Sequence, residues 1–166
     1  MANVEFHDFS VQVTEALDDA VIAFLREAAT TILSVTEENS SPEKYGDKQA
    51  NALWSYRVDE EGREARVGSE EEAGYWEEFG TGEHALYRNG RPGWWVYIEG
   101  QASQGGGKTY GSKEEAEDAA AFLRSKGLKA HATNGRKPNR PLFRAFNEKK
   151  GALERRAAEI LKEGLK

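Results

Sequence analysis

Residues 102–116 read ASQGGGKTYGSKEEA, and the centre of the chain is either a phosphate-cradling loop or a plain connection into a capped helix. A phosphate loop has the pattern G-x-x-x-x-G-K-S/T and runs directly into a helix, so that backbone N–H groups and the helix N-terminus face the phosphates. Here Gly107-Lys108-Thr109 closes the pattern, but Ala102 stands in place of its first glycine. The helix start is best placed at Ser112, three residues beyond Thr109, where Ser112 and Glu115 have capping-box spacing. No later apolar strand ends in an aspartate suited to Mg²⁺. The stretch is therefore read as a connection, with no nucleotide or other cofactor expected.

Working outward, WWVYIEG before the connection is strand-like by its aromatic and β-branched run. SKEEAEDAAAFLRSKG after it is a helix ending on Gly127, the usual residue past a helix C-terminus, and LKAHAT returns as a strand. Upstream, Val13, Leu17, Val21, Phe24, Ala28, Ile32 and Val35 recur every three or four positions, which predicts one long amphipathic helix from about Phe9 to Val35. NSSPEKYGDK breaks it with Pro42 and Gly46. ALWSYRVDEEGREARVGS predicts a hairpin turning at Asp59-Glu60-Glu61-Gly62, and GYWEEFGTGEHALYRNGRPG is loop-like after its first six residues. From Pro141 a second long helix is predicted, with Leu142, Phe146, Leu153, Ala157, Ile160 and Leu161 near one face. The order helix, hairpin, loop, strand, helix, strand, helix predicts an α+β fold. It has a small, mostly antiparallel sheet packed by long terminal helices, within one domain over 1–166.

The composition bounds the chemistry. With 31% charged residues and a mean hydropathy of −0.78 the surface is large and wet, yet 4 Trp, 6 Tyr and 7 Phe supply enough burial for a folded chain. There is no cysteine, so neither a disulfide framework nor a thiolate metal site is expected. His7, His84 and His131 lie in no metal-ligand spacing. The runs Glu70-Glu71-Glu72 and Glu77-Glu78 are read as a solvated face, so no catalytic residue is assigned. The opening MANVEFHDFSV lacks a signal-peptide pattern and no apolar run is long enough for a membrane span, so a cytosolic protein is expected.

Charge is uneven along the chain. Residues 134–166 hold ten Lys and Arg against four acids, a net +6, while the preceding 133 residues carry −12. That pattern fits either a solvated basic helix or charge complementarity between copies in an assembly. The aromatics pose a second question. Neighbours on a strand point to opposite faces, so Trp94 and Trp95 cannot both enter one core unless helices cover both faces. Tyr75, Trp76 and Phe79 raise the same problem, and surplus aromatic surface marks a contact with another chain.

Val67-Gly68, Tyr75, Glu78-Phe79-Gly80-Thr81 and Pro141-Leu142-Phe143-Arg144-Ala145, in this order, resemble the neck or tail-completion (head–tail connector, minor tail component) proteins of long-tailed double-stranded DNA phages. The resemblance spans most of the chain. The family's Pro-x-x-Thr-Gly-x-Leu stretch is reduced here to Leu53 and Ser55, and residues at about 93–134 form an added strand, loop, helix and strand.

The resemblance implies a non-catalytic virion protein, assembled in a host cytoplasm, that forms a ring, six-fold by expectation, around the DNA channel. Its neighbours would be head-completion proteins and tail-tube or tail-terminator proteins, with DNA passing through without sequence-specific binding and no membrane involved. Tyr75, Glu78, Phe79, Gly80, Thr81, Pro141 and Phe143 are then the motif residues. Trp76, Phe79, Trp94, Trp95, Arg144, Arg155 and Arg156 are the candidate ring contacts. The alternative is a monomeric nucleic-acid-binding or regulatory module, favoured by the basic C-terminal segment.

Overall fold

The computed structural model describes residues 10–40, 53–99 and 107–164. The readings on His7, the side chain of Val13, the break at 41–48 and residues 102–106 of the glycine-rich stretch lie outside the described residues. The chain divides into two compact units, Met1–Glu71 with Pro141–Lys166, and Glu72–Arg140. The fold is α+β with long terminal helices and antiparallel strands, as the sequence predicts. The strands, however, form two separate two-stranded sheets, one in each unit.

In the first unit, α1 (Ser10–Asn39) packs along a C-terminal helix, Pro141–Gly164, and on the hairpin of β1 (Ser55–Asp59) and β2 (Glu64–Gly68). Ile32, Val35 and Ala145 are the buried centre, flanked by Val67, Leu142 and Leu153. Ala145 is fully buried, and its small side chain allows close helix approach. Here the predicted face of the last helix is corrected: Phe146 and Leu161 are 50% and 47% exposed, and Ala145 takes the central position.

Helix α1 ends four residues beyond Val35, and side chains bond to carbonyls of its final turns. Thr36 Oγ1 donates to the Ile32 carbonyl at 2.7 Å, Ser40 Oγ to the Thr36 carbonyl at 2.9 Å, and buried Trp54 donates from Nε1 to Ser40 Oγ at 2.8 Å. The hairpin turns where the acidic run predicts. Gly62 N donates to the Asp59 side chain at Oδ1, three residues back, at 3.0 Å, and Arg63 adopts φ +50° before β2 begins.

The second unit holds α2 (Glu72–Phe79), a short 3₁₀ turn at Gly82–His84, β3 (Trp95–Ile98), α3 (Lys113–Ser125) and β4 (Ala130–Thr133). The terminal helix, Pro141–Gly164, is α4. Helix α2 is an element that the sequence order lacks. β3 and β4 pair antiparallel, Trp95 with Thr133 through Ile98 with Ala130, and α3 packs on them through buried Ala116, Ala120 and Ala130.

The predicted ends of α3 are both present. Ser112 Oγ accepts from Glu115 N at 3.2 Å, and Gly127 has φ +83°. Gly127 N and Leu128 N donate to the Arg124 and Leu123 carbonyls at 2.9 and 3.2 Å, the paired bonds of a Schellman end.

Candidate functional site

Helix α2 is inverted relative to ordinary amphipathic helices. Two of its three acids face inward, Glu77 at 0% and Glu78 at 7% exposure, while Glu72 at its start is exposed and Tyr75 and Trp76 are 49% and 37% exposed. The solvated-face reading of Glu77-Glu78 is thereby corrected. A buried carboxylate persists only when paired and hydrogen-bonded, and Glu77 has both kinds of partner. Its carboxylate accepts from Arg136 Nη2 and, at 2.7 Å, from Asn139 Nδ2. Its backbone carbonyl accepts from Asn139 N at 2.9 Å and Arg140 N at 3.2 Å. One residue thus ties α2 to segment 136–140 through side chain and backbone together.

The chain leaving α2 is tied to the same segment. Gly80 N closes the helix on the Trp76 carbonyl at 2.9 Å, and Gly80 turns with φ +72°. A Cβ there would lie 2.7 Å from the Arg136 carbonyl oxygen and 2.8 Å from Pro138 Cδ. Thr81 N donates to the Arg136 carbonyl at 2.9 Å, and Arg136 N donates back to the Thr81 carbonyl at 3.2 Å and to Thr81 Oγ1 at 2.9 Å. Gly82, at φ +61°, faces Gly135, and a Cβ on Gly82 would come 2.7 Å from Gly135 Cα. The result is a clamp of two segments, 77–82 and 134–140, that only glycine permits at its closest points.

The outer side of α2 carries the aromatic surface. Phe79 is half-buried between Tyr75, with ring centroids 4.8 Å apart, and Tyr87, at 5.5 Å. Leu86 N donates to the Phe79 carbonyl at 2.8 Å, which fixes the following loop beside this row. Tyr75, Trp76, Leu86 and Tyr87 are all exposed. The clamp beneath ties down the backbone that carries that surface.

Of the sequence-predicted residues, Tyr75, Trp76, Glu78, Phe79, Gly80 and Thr81 therefore come together on α2 and its exit. Trp94 and Trp95 are both half-buried and held within the second unit. Trp94 exchanges backbone bonds with Tyr110, and the Arg91 guanidinium sits 5.2 Å over the Trp95 ring. Pro141 and Phe143 open α4 in the first unit, the one fully buried and the other exposed. On α4, Arg144 Nη2 donates to the Asn39 carbonyl at 2.7 Å, and Arg156 lies 3.5 Å from Glu27 and 3.8 Å from Glu159. Arg155 is exposed.

Sequence reasoning missed Glu77, Arg136 and Asn139. The capping and turn signals are local, whereas the partners of Glu77 lie 59 and 62 positions away.

The remaining chemical candidates are occupied by the chain itself. Lys108 Nζ lies 4.9 Å over the Tyr110 ring, and Thr109 Oγ1 accepts from Arg91 at 2.9 Å. The described helix begins at Lys113, several residues past Lys108. His131 Nε2 lies 2.9 Å from Glu99 Oε1, and Lys129 Nζ lies 3.6 Å from the other oxygen, Oε2. Among the described residues no group of three His, Cys, Asp or Glu is placed to hold a metal, and no helix is long and apolar enough to cross a membrane. Comparison with models of known families, with curated proteins and with solved structures finds no match.

Proposed function

We propose that this chain is a structural assembly protein, and that its partner surface is the outer side of α2. The carrying observation is the inversion of that helix, with Glu77 buried and Tyr75 and Trp76 exposed. Burying a carboxylate and an arginine is costly, and replacing such a pair by apolar packing is often neutral or stabilising. A helix organised for stability alone would turn its aromatics inward. Aromatics held rigid at a surface are instead what interface anchors require, because little side-chain entropy is lost when a partner covers them.

The biological setting we propose is the one that the motif resemblance implies: a virion neck or tail-completion component, six copies forming a ring around the DNA channel between head-completion proteins and the tail. Three observations support this reading. Tyr75, Glu78, Phe79, Gly80 and Thr81 sit together on α2 and its exit, which is hydrogen-bonded to the segment leading into Pro141. The chain's acidic first 133 residues and basic remainder suit a heterologous contact that repeats around a ring. An acidic body also passes DNA without gripping it.

The test is negative-stain microscopy and light scattering of the purified chain, alone and mixed with head-completion and tail-tube proteins of a long-tailed phage. Rings or joined complexes are expected. A monomer that binds none of them contradicts the proposal.

A further inference from the structure

The two oxygens of one carboxylate hold the chain at Gly93 and at Asn134, the two ends of segment 93–134. Glu83 Oε1 accepts from Gly93 N at 3.0 Å, where the chain enters β3, and Glu83 Oε2 accepts from Asn134 Nδ2 at 3.0 Å, where it leaves β4. Glu83 N donates to the Asn134 carbonyl at 2.9 Å, so the acid is itself fixed at the exit. We infer that residues 93–99 and 107–134, the described part of this segment, are a separable module, an independent cooperative unit clipped shut at its base by Glu83 and carried by the clamp. This goes beyond the assembly reading and does not rest on it.

The described part of the segment satisfies its own requirements. The strands β3 and β4 pair with each other, and both ends of α3 are capped by Ser112 and by the Gly127 turn. Arg124 Nη1 donates to the Ala130 carbonyl at 2.9 Å, closing the edge of β4. The fully buried Ala116, Ala120 and Ala130 give helix and sheet a common core.

The clamp, in turn, meets the segment at Asn134, its last residue, and at the Trp95 ring beside Gly82, and its other bonds are made by residues outside the segment. Glu77 bonds to Arg136 and Asn139, and Thr81 to Arg136. Residues 86–90 belong with the clamp: Leu86 and Tyr87 contact Phe79, and Gly90 lies against the Gly82 backbone. Because the ends of the segment are already adjacent, the length of chain between them affects closure only weakly. A body so organised opens as its own unit.

Amide hydrogen exchange on the full chain tests this. Ala116→Asp combined with Ala120→Asp places two charges in the alanine core. The expected result is loss of protection across β3, α3 and β4, while the amides of Thr81, Glu83, Arg136 and Asn139 keep theirs. Loss of protection in the clamp together with the module overturns the inference. A second variant, with residues 94–133 replaced by two glycines, is expected to keep the clamp amides protected. A shortened chain whose clamp amides exchange freely overturns it equally.

Discussion

Thr81 and Arg136, 55 positions apart, exchange backbone hydrogen bonds in both directions, and the Thr81 hydroxyl takes a third from Arg136 N. That pairing turns two stretches remote in sequence into one structural feature. It also explains why Gly80 and Gly82 both occupy φ > 0 beside a stretch containing Gly135 at φ +122°.

Removing the buried carboxylate should loosen the clamp. Glu77→Ala leaves the Arg136 guanidinium without the acid that faces it and is expected to cost about 3–5 kcal/mol, as breaking buried pairs does. Thermal unfolding followed by circular dichroism measures it. Glu72→Ala, at the exposed start of the same helix, should change stability by less than about 0.5 kcal/mol.

The glycines separate backbone need from tolerance. Gly82→Val meets Gly135 directly and imposes a left-handed conformation on a β-branched residue, with an expected loss of more than about 1 kcal/mol. A Cβ at Gly68 meets nothing within 4 Å, so Gly68→Ala is expected to melt like the parent. Equal melting of both variants would show that the close approach at Gly82 is dispensable.

Burial raises the affinity of the Glu37 carboxyl for its proton above the ordinary range. The folded state therefore binds that proton more readily than the unfolded chain. This favours folding in acid, and the advantage is lost as pH rises from the unfolded value, about 4.3, through the raised one. Glu37→Gln should thus be more stable than the parent at neutral pH and equal to it near pH 3. Denaturant titrations at the two pH values measure the difference, and a variant less stable at neutral pH contradicts it.

Lys108 contributes a cation over the Tyr110 ring, an exposed contact worth about 0.5–1 kcal/mol. Lys108→Ala should lose no more than that. Millimolar ATP or GTP should leave the melting temperature of the parent unchanged, whereas a site of micromolar affinity would add about 4 kcal/mol. A nucleotide-induced rise abolished by Lys108→Ala would restore the phosphate-loop reading.

The parts of the fold readable in the sequence are those set by local rules. Ser112, Glu115 and Gly127 delimit α3, Asp59 to Gly62 make the hairpin turn, and Pro141 opens α4, because each signal acts within one or two turns of chain. The periodic faces were less legible where a surface keeps its hydrophobes. Phe146 and Leu161 lie outward although they fit the apolar stripe. Helix α2 is hidden for two reasons: it is only eight residues long, and its polarity is reversed. Which member of the Glu77-Glu78 pair closes the clamp is decided by Arg136 and Asn139, and no local pattern records that.

The central claim is that the outer side of α2 joins this protein to its partners, and electron microscopy of virus particles made with Trp76→Ala or Phe79→Ala tests it most directly. Both residues lie on the outer side of a helix whose position is set from beneath by Glu77, so each variant should stay folded by circular dichroism. The account predicts filled heads and finished tails that fail to join. Normal yields of complete, infectious particles from both variants would contradict it.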